Sequence, residues 1–334
     1  MRNLKYITAL FCTLLYISCS NVENLPEEMT QEPESYTISL GVGDGTESRA
    51  ADGTIYGINV YFDKEKDGNQ NDIYAYGLFD DQSKMTITLY TGYKYKFECT
   101  AVKNGKTKLY YGPYDKNTFS GYAAPFQTSS SASTILSNEF ILNPGTYLSG
   151  IQSSATIVKT PSGGYESSTK NIQRYYGELH DYTPVAGGVV NISIKKAYFG
   201  RKLIVKGGDW VGNGTVTISG GGWNMTLTEG LEEEGAIYGC SPYESWLNDE
   251  YSWTSEITMT YTSNRANGWW DLKNSKTVTF KRNVMTTVTL SISPDLSSGS
   301  FGIKEEEFEE DNYIDYEING DGQLEVPVNP DEEK

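Results

Sequence analysis

Residues 93–101 read YKYKFECTA, with Tyr93, Tyr95, Phe97, Cys99 and Ala101 alternating with Lys94, Lys96, Glu98 and Thr100. A period of two is the mark of a half-buried strand: the apolar set faces a core and the polar set faces water. Thr91-Gly92 before this run and Asn104-Gly105 after it are turn signals. The same pattern recurs outward in both directions. Upstream lie Tyr36-Ile38-Leu40-Val42, Ile58-Val60-Phe62 and Met85-Ile87-Leu89. Downstream lie Val190-Ile192-Ile194, Val216-Ile218, Trp223-Met225-Leu227, Ile257-Met259-Tyr261 and Val288-Leu290-Ile292. Long helical periodicity is missing. Many short strands with turns between them predict an all-β chain of sandwiches rather than a parallel sheet with helices. Two stretches rich in Gly, Ser, Pro and Tyr, 113–134 and 160–171, read as long loops, and the turn-forming residues 184–188 suggest a boundary near 185.

The N-terminus predicts export. Arg2 and Lys5 precede an uncharged apolar run from Ile7 to Ile17, followed by Ser18, Cys19 and Ser20. The run is too short to span a bilayer, which takes about 20 apolar residues, and its flanks are those of a secretory signal peptide. A cysteine at that point is the diacylglycerol acceptor of bacterial lipoproteins, so Cys19 is the expected acylation (palmitate) site; the alternative is ordinary cleavage with Cys19 incidental. The following residues are acidic, polar and proline-containing, a composition that buries too little surface to fold. The expected order is therefore a signal peptide over 1–18, a tether over 19–34, an N-terminal β-sandwich over 35–185, a C-terminal β-sandwich over 186–300 and an acidic tail over 301–334.

Charge and chemistry exclude more than they assign. Net charge is −17, and −11 of it falls in 301–334. Such a chain does not bind nucleic acid through phosphates. With Cys12 in the signal and Cys19 acylated, Cys99 and Cys240 remain and read as two buried thiols rather than a disulfide. No cofactor and no metal is expected, since there is one histidine and no paired cysteines. The segment from Asp63 to Asp72 resembles a calcium loop for six residues, then places Tyr74 where a bidentate carboxylate is needed; it reads as a hairpin tip. His180 has no triad spacing around it, so no enzyme is expected. Trp269-Trp270 is the candidate glycan contact, against the plainer reading of strand aromatics used for packing.

Four segments carry a resemblance. Arg49-Ala50-Ala51-Asp52 precedes the strand IYGINVYFD beginning at Ile55. Arg174-Tyr175-Tyr176-Gly177 precedes the run from Val190 to Val205, Phe280-Lys281-Arg282-Asn283 leads into MTTVTLSIS, and the lipoprotein signal is the fourth. In this order the chain resembles the fimbrillin family of Bacteroidales, the subunits of type V pili and their lipoprotein relatives. The resemblance implies two tandem sandwiches of transthyretin-like topology, lipid anchoring at the outer membrane and exposure at the cell surface. It also implies a structural or adhesive role among other fimbrial subunits, with the receptor unspecified. It further implies a cut between Arg49 and Ala50, loss of the first strand with the lipid, and replacement of that strand by a C-terminal segment of another subunit. The candidate donor here lies within 313–328, where Ile314-Tyr316-Ile318 and Leu324-Val326-Val328 alternate. The alternative function is a glycan-binding surface lipoprotein that does not polymerise.

Overall fold

A computed structural model of the chain describes residues 34–43, 53–115, 119–206, 214–228, 231–240, 243–248, 250–265, 268–292 and 299–307. Cys19, Arg49, Ala50 and the donor segment 313–328 lie outside these residues. The first part of the chain forms β1 (Ser35–Gly43), β2 (Ile55–Phe62), β3 (Asp72–Phe79), β4 (Thr86–Tyr90), β5 (Tyr95–Val102), β6 (Tyr111–Asp115) and β7 (Phe119–Tyr122). It continues through β8 (Phe140–Leu142), β9 (Thr156–Lys159), β10 (Tyr165–Ser168), β11 (Arg174–Tyr182), β12 (Val189–Ser193) and β13 (Lys195–Lys196). The second part forms β14 (Tyr198–Lys206), β15 (Gly214–Gly220), β16 (Trp223–Leu227), β17 (Leu231–Gly239), β18 (Ser252–Arg265), β19 (Gly268–Lys281), β20 (Val284–Ile292) and β21 (Gly299–Glu307).

These strands make two sandwiches. In the first, a sheet ordered β12-β1-β4 packs on a six-stranded sheet ordered β13-β11-β5-β2-β3-β8. In the second, β17-β14-β20-β21 packs on β16-β15-β18-β19. The alternating residues supply the cores as expected. Ile38, Leu40, Val42, Ile58, Val60, Met85, Ile87, Leu89, Tyr95, Phe97, Cys99, Val190 and Ile192 form one cluster, and Val216, Ile218, Trp223, Ile257, Met259, Tyr261, Val288 and Leu290 belong to the other.

The structure departs from the sequence reading in four places. The boundary expected near 185 falls inside the first sandwich, because β12 pairs with β1 and β13 with β11; the change of sandwich comes after Lys196. The 184–188 segment is a tight turn between β11 and β12, closed by Gly188 N–H to Val185 O at 3.0 Å, and such residues signal a turn without saying what it joins. Each predicted loop contains hairpin strands, β6-β7 in the first and β10, paired with β9, in the second. The acidic stretch after 300 begins as a strand, β21, at the sheet edge beside β20, where charged side chains stay in water and blunt the edge. Finally, Glu98 and Thr100, expected to face out, are fully buried, as is Asn59. The excursion between β5 and β11 and the second sandwich cover that face of the six-stranded sheet.

Cys99 and Cys240 are free and buried. Burial holds the Cys99 thiol far above its usual pKa and pushes that of Cys240 up to about 12. Only thiolate reacts readily, so native protein should be labelled by thiol reagents far more slowly than urea-unfolded protein; equal rates would contradict this packing.

Candidate functional site

The strand that the resemblance marks for exchange is β1, and its place can be built from the residues upward. Ile38, Leu40 and Val42 alternate with Thr37, Ser39 and Gly41, so one face of β1 is an unbroken aliphatic stripe. All three stripe residues are buried in the first core, and Tyr36 packs at its margin. Burying three aliphatic side chains contributes about 5–9 kcal/mol. On one side β1 runs antiparallel to β4, with Leu40 N–H donating to Met85 O at 2.8 Å and Thr91 N–H to Glu34 O at 2.7 Å. On the other side it runs parallel to β12, and Ile194 N–H donates to Gly43 O at 2.9 Å. Gln82 Nε2 donates to Val42 O at 3.1 Å. Thus β1 is the central strand of its sheet although it is the first strand among the described residues. Taking it away would separate β4 from β12 and leave two rows of unpaired backbone groups beside an apolar floor.

The floor of that slot is the six-stranded sheet, and its back carries a second constellation. Glu98 on β5 points away from β1 into a seam between the sandwiches. Its carboxylate accepts from Asn59 Nδ2 at 3.0 Å, Tyr61 OH at 3.2 Å, Gln152 Nε2 at 2.5 Å and Tyr176 OH at 2.8 Å. Nearby, Glu178 accepts from Tyr243 OH at 3.0 Å and from the His180 ring at 2.7 Å and shares the single Tyr176 hydroxyl proton with Glu98, with Lys96 Nζ 3.4 Å away. Burial alone would raise the Glu178 pKa; the hydrogen bonds from Tyr176 and His180 and the Lys96 charge outweigh it and hold the carboxyl below its usual range. Arg174 donates to Thr100 Oγ1 at 2.9 Å and to the carbonyls of Gly150 at 3.3 Å, Ile151 at 2.5 Å and Ser153. Its guanidinium carbon lies 4.6 Å from the centre of the Trp246 ring. Trp246 donates its indole N–H to Cys240 O at 2.9 Å.

Backbone bonds close the same seam. Asn171 N–H donates to Ile237 O at 2.9 Å and Gly239 N–H to Thr169 O at 3.1 Å. The outer edge of β17 is thereby covered by the chain of the first sandwich. These groups hold two bodies together. Both oxygens of the buried Glu98 carboxylate and all three nitrogens of the buried Arg174 guanidinium thereby have partners, as burial requires.

The remaining sequence candidates do not converge on the slot. Trp269 and Trp270 lie on β19, opposite Asn264 and Ser263 of β18. His180 is exposed and its ring bonds to Glu178. Both Asp63 oxygens accept backbone N–H groups, from Asp67 at 2.9 Å and Gly68 at 2.8 Å, so this carboxylate shapes the loop between β2 and β3. Sequence reading missed the Glu98–Arg174 seam. Its one visible trace was an acid and an arginine at alternating positions of aromatic-rich strands, and nothing in a single sequence pairs those strands.

No protein-family model and no curated protein matches the chain. Solved structures similar to it include a candidate cell adhesion protein from Bacteroides eggerthii, at 11% identity over 86% of this chain and 98% of that one, TM-score 0.36. A fimbrial assembly protein from Parabacteroides distasonis is 12% identical over 82% of this chain and 96% of its own, TM-score 0.33. The fimbrial anchor protein Mfa2 from Porphyromonas gingivalis is 8% identical over 83% and 98%, TM-score 0.30. These are Bacteroidales proteins of the kind the sequence resemblance names. Scores this low support no conclusion about role.

Proposed function

We propose that the chain is a lipid-anchored cell-surface subunit or adhesin of a fimbria, joined to other subunits by exchange of β1. One observation carries this reading: the first strand among the described residues is the central strand of its sheet, and the eleven residues 44–54, which include Arg49, separate it from β2. A single cut there would free β1 on its C-terminal side, and its N-terminal side leads only to the tether and Cys19. An extended segment entering the gap would recover backbone bonds on both sides and fill the places of Ile38, Leu40 and Val42, which is binding by strand addition. The incoming segment assigned to this gap is 313–328 of a neighbouring subunit. The partners are thus other fimbrial subunits and the outer membrane through acyl chains on Cys19.

Two substitutions test the reading in cells. Cys19→Ala should shift the protein from the membrane fraction to the medium or periplasm, since acyl chains supply the anchor; a variant still partitioning into detergent is anchored elsewhere. Arg49→Ala should leave β1 attached and surface polymers absent by electron microscopy. Polymers of normal length from that variant would remove Arg49 from the mechanism. The glycan-binding alternative predicts a saturable sugar affinity lost on changing Trp269 and Trp270 to Ala, and β19 gives it no support beyond the placement of these two residues near the end of the β18–β19 hairpin.

A further inference from the structure

The outer edge of β4 is closed from inside the sandwich. Pairing with β1 uses the backbone groups of Met85, Ile87 and Leu89, because Leu40 N–H reaches Met85 O and the register alternates from there. The N–H and C=O groups of Thr86, Thr88 and Tyr90 therefore point away from β1, toward the open flank. An edge of this kind is a template for another strand. Two phenols from the opposite sheet occupy much of it. Tyr74 OH on β3 donates to Thr88 O at 2.7 Å. Tyr95 OH on β5 accepts from Tyr90 N–H at 3.0 Å and donates to Tyr90 O at 3.1 Å. Both rings are buried, at 3% and 0% exposure, and pack edge to face 5.2 Å apart. Past them, near Thr86, the flank opens into a groove lined by Lys84, Thr86, Thr88, Glu139, Phe140 and Leu142.

Other places in the fold are tied by different means. At the end of β12 the chain crosses to β13 in the other sheet, and Ile194 N–H donates to Gly43 O of β1. The β19 and β21 edges are tied by Lys281 and Glu305 at 2.6 Å. Among the described residues, the hydroxyls that cap the outer groups of β4 come from within the sandwich. Tyr95 has a local reason to do so, since it reaches back five residues and pins the crossing from β4 to β5, as a tyrosine corner does. Tyr74 has no such reason: it lies fourteen residues from Thr88 on another strand. We infer that Tyr74 and Tyr95 are edge guards, which prevent a second chain from pairing along β4 and so from competing there with strand entry at the place of β1. The consequence for assembly rests on the exchange reading above. The guard itself does not, because it acts while β1 is in place.

The test uses the chain without its signal peptide and with Arg49→Ala, so that β1 stays attached, studied by light scattering over a concentration series. The parent should be monomeric. Tyr74→Phe with Tyr95→Phe keeps both rings and frees three backbone groups; self-association should tighten at least tenfold. Adding Thr88→Lys, a charge on the freed edge, should restore the monomer. A folded double variant that stays monomeric overturns the inference, as does association that Thr88→Lys leaves untouched. Should the double variant fail to fold by circular dichroism, Tyr74→Phe alone decides on the same criterion. Whether cleaved chains polymerise is a separate measurement, so failure here leaves the exchange reading standing.

Discussion

Leu40→Asp should unfold the first sandwich in the intact chain. Leu40 is 4% exposed on β1 and belongs to the same core cluster as Met85, Val60 and Phe97. Loss of the leucine alone costs about 2–5 kcal/mol. The introduced carboxylate has no cation in that cluster, and an unpaired buried charge costs several kcal/mol more. Together these approach the about 5–15 kcal/mol of a whole domain. Ser39→Asp places the same charge one residue away on the exposed face, where the expected change is within about 0.5 kcal/mol. Urea unfolding followed by circular dichroism compares the two. A Leu40→Asp midpoint equal to that of Ser39→Asp would mean that β1 is not held as described.

Trp246→Ala should separate the two sandwiches energetically. The indole is 1% exposed, packs on Tyr176 at 5.2 Å and on Tyr243 at 5.7 Å, and covers Arg174. Truncating a buried tryptophan costs about 3–5 kcal/mol. The loss here falls on the seam: Arg174 would face a cavity, and Cys240 O would lose its donor. Wild-type protein should melt in one calorimetric transition because β5 and β11 serve both the slot core and the seam. Trp246→Ala should show two transitions, and Trp246→Phe should return most of the coupling by keeping an aromatic face over the guanidinium. A single unshifted transition in the alanine variant would contradict a seam that couples the bodies.

The strand stripes were legible in the sequence because a period of two records which side chains share a face. Tyr95, Phe97 and Cys99 sit where that alternation put them, as do Ile38 and Leu40. The opposite face was not legible. Glu98, Thr100 and Asn59 look solvent-directed in a pattern reading, yet residues far along the chain partner them: Gln152 and Tyr176 donate to Glu98, Arg174 to Thr100, and Asn59 bonds the Leu148 backbone. Polar residues report water or a partner, and one sequence does not distinguish them. The same limit hid the domain boundary: the 184–188 turn looks alike whether it joins two strands of one sandwich or two sandwiches, and only the pairing of β12 with β1 decides. The Tyr74 cap was out of reach for a third reason, since a hydroxyl meeting a strand edge depends on register across the core.

The most direct test of strand exchange is size-exclusion chromatography of purified chain before and after limited trypsin treatment, with and without residues 313–334. Intact chain should elute as a monomer, with β1 in its own slot. Chain cut after Arg49 should shift to large assemblies, and chain that is cut but lacks 313–334 should remain monomeric with an unchanged far-ultraviolet strand signal. Cut chain that stays monomeric at high concentration, or tail-deleted chain that still polymerises, would contradict exchange at β1.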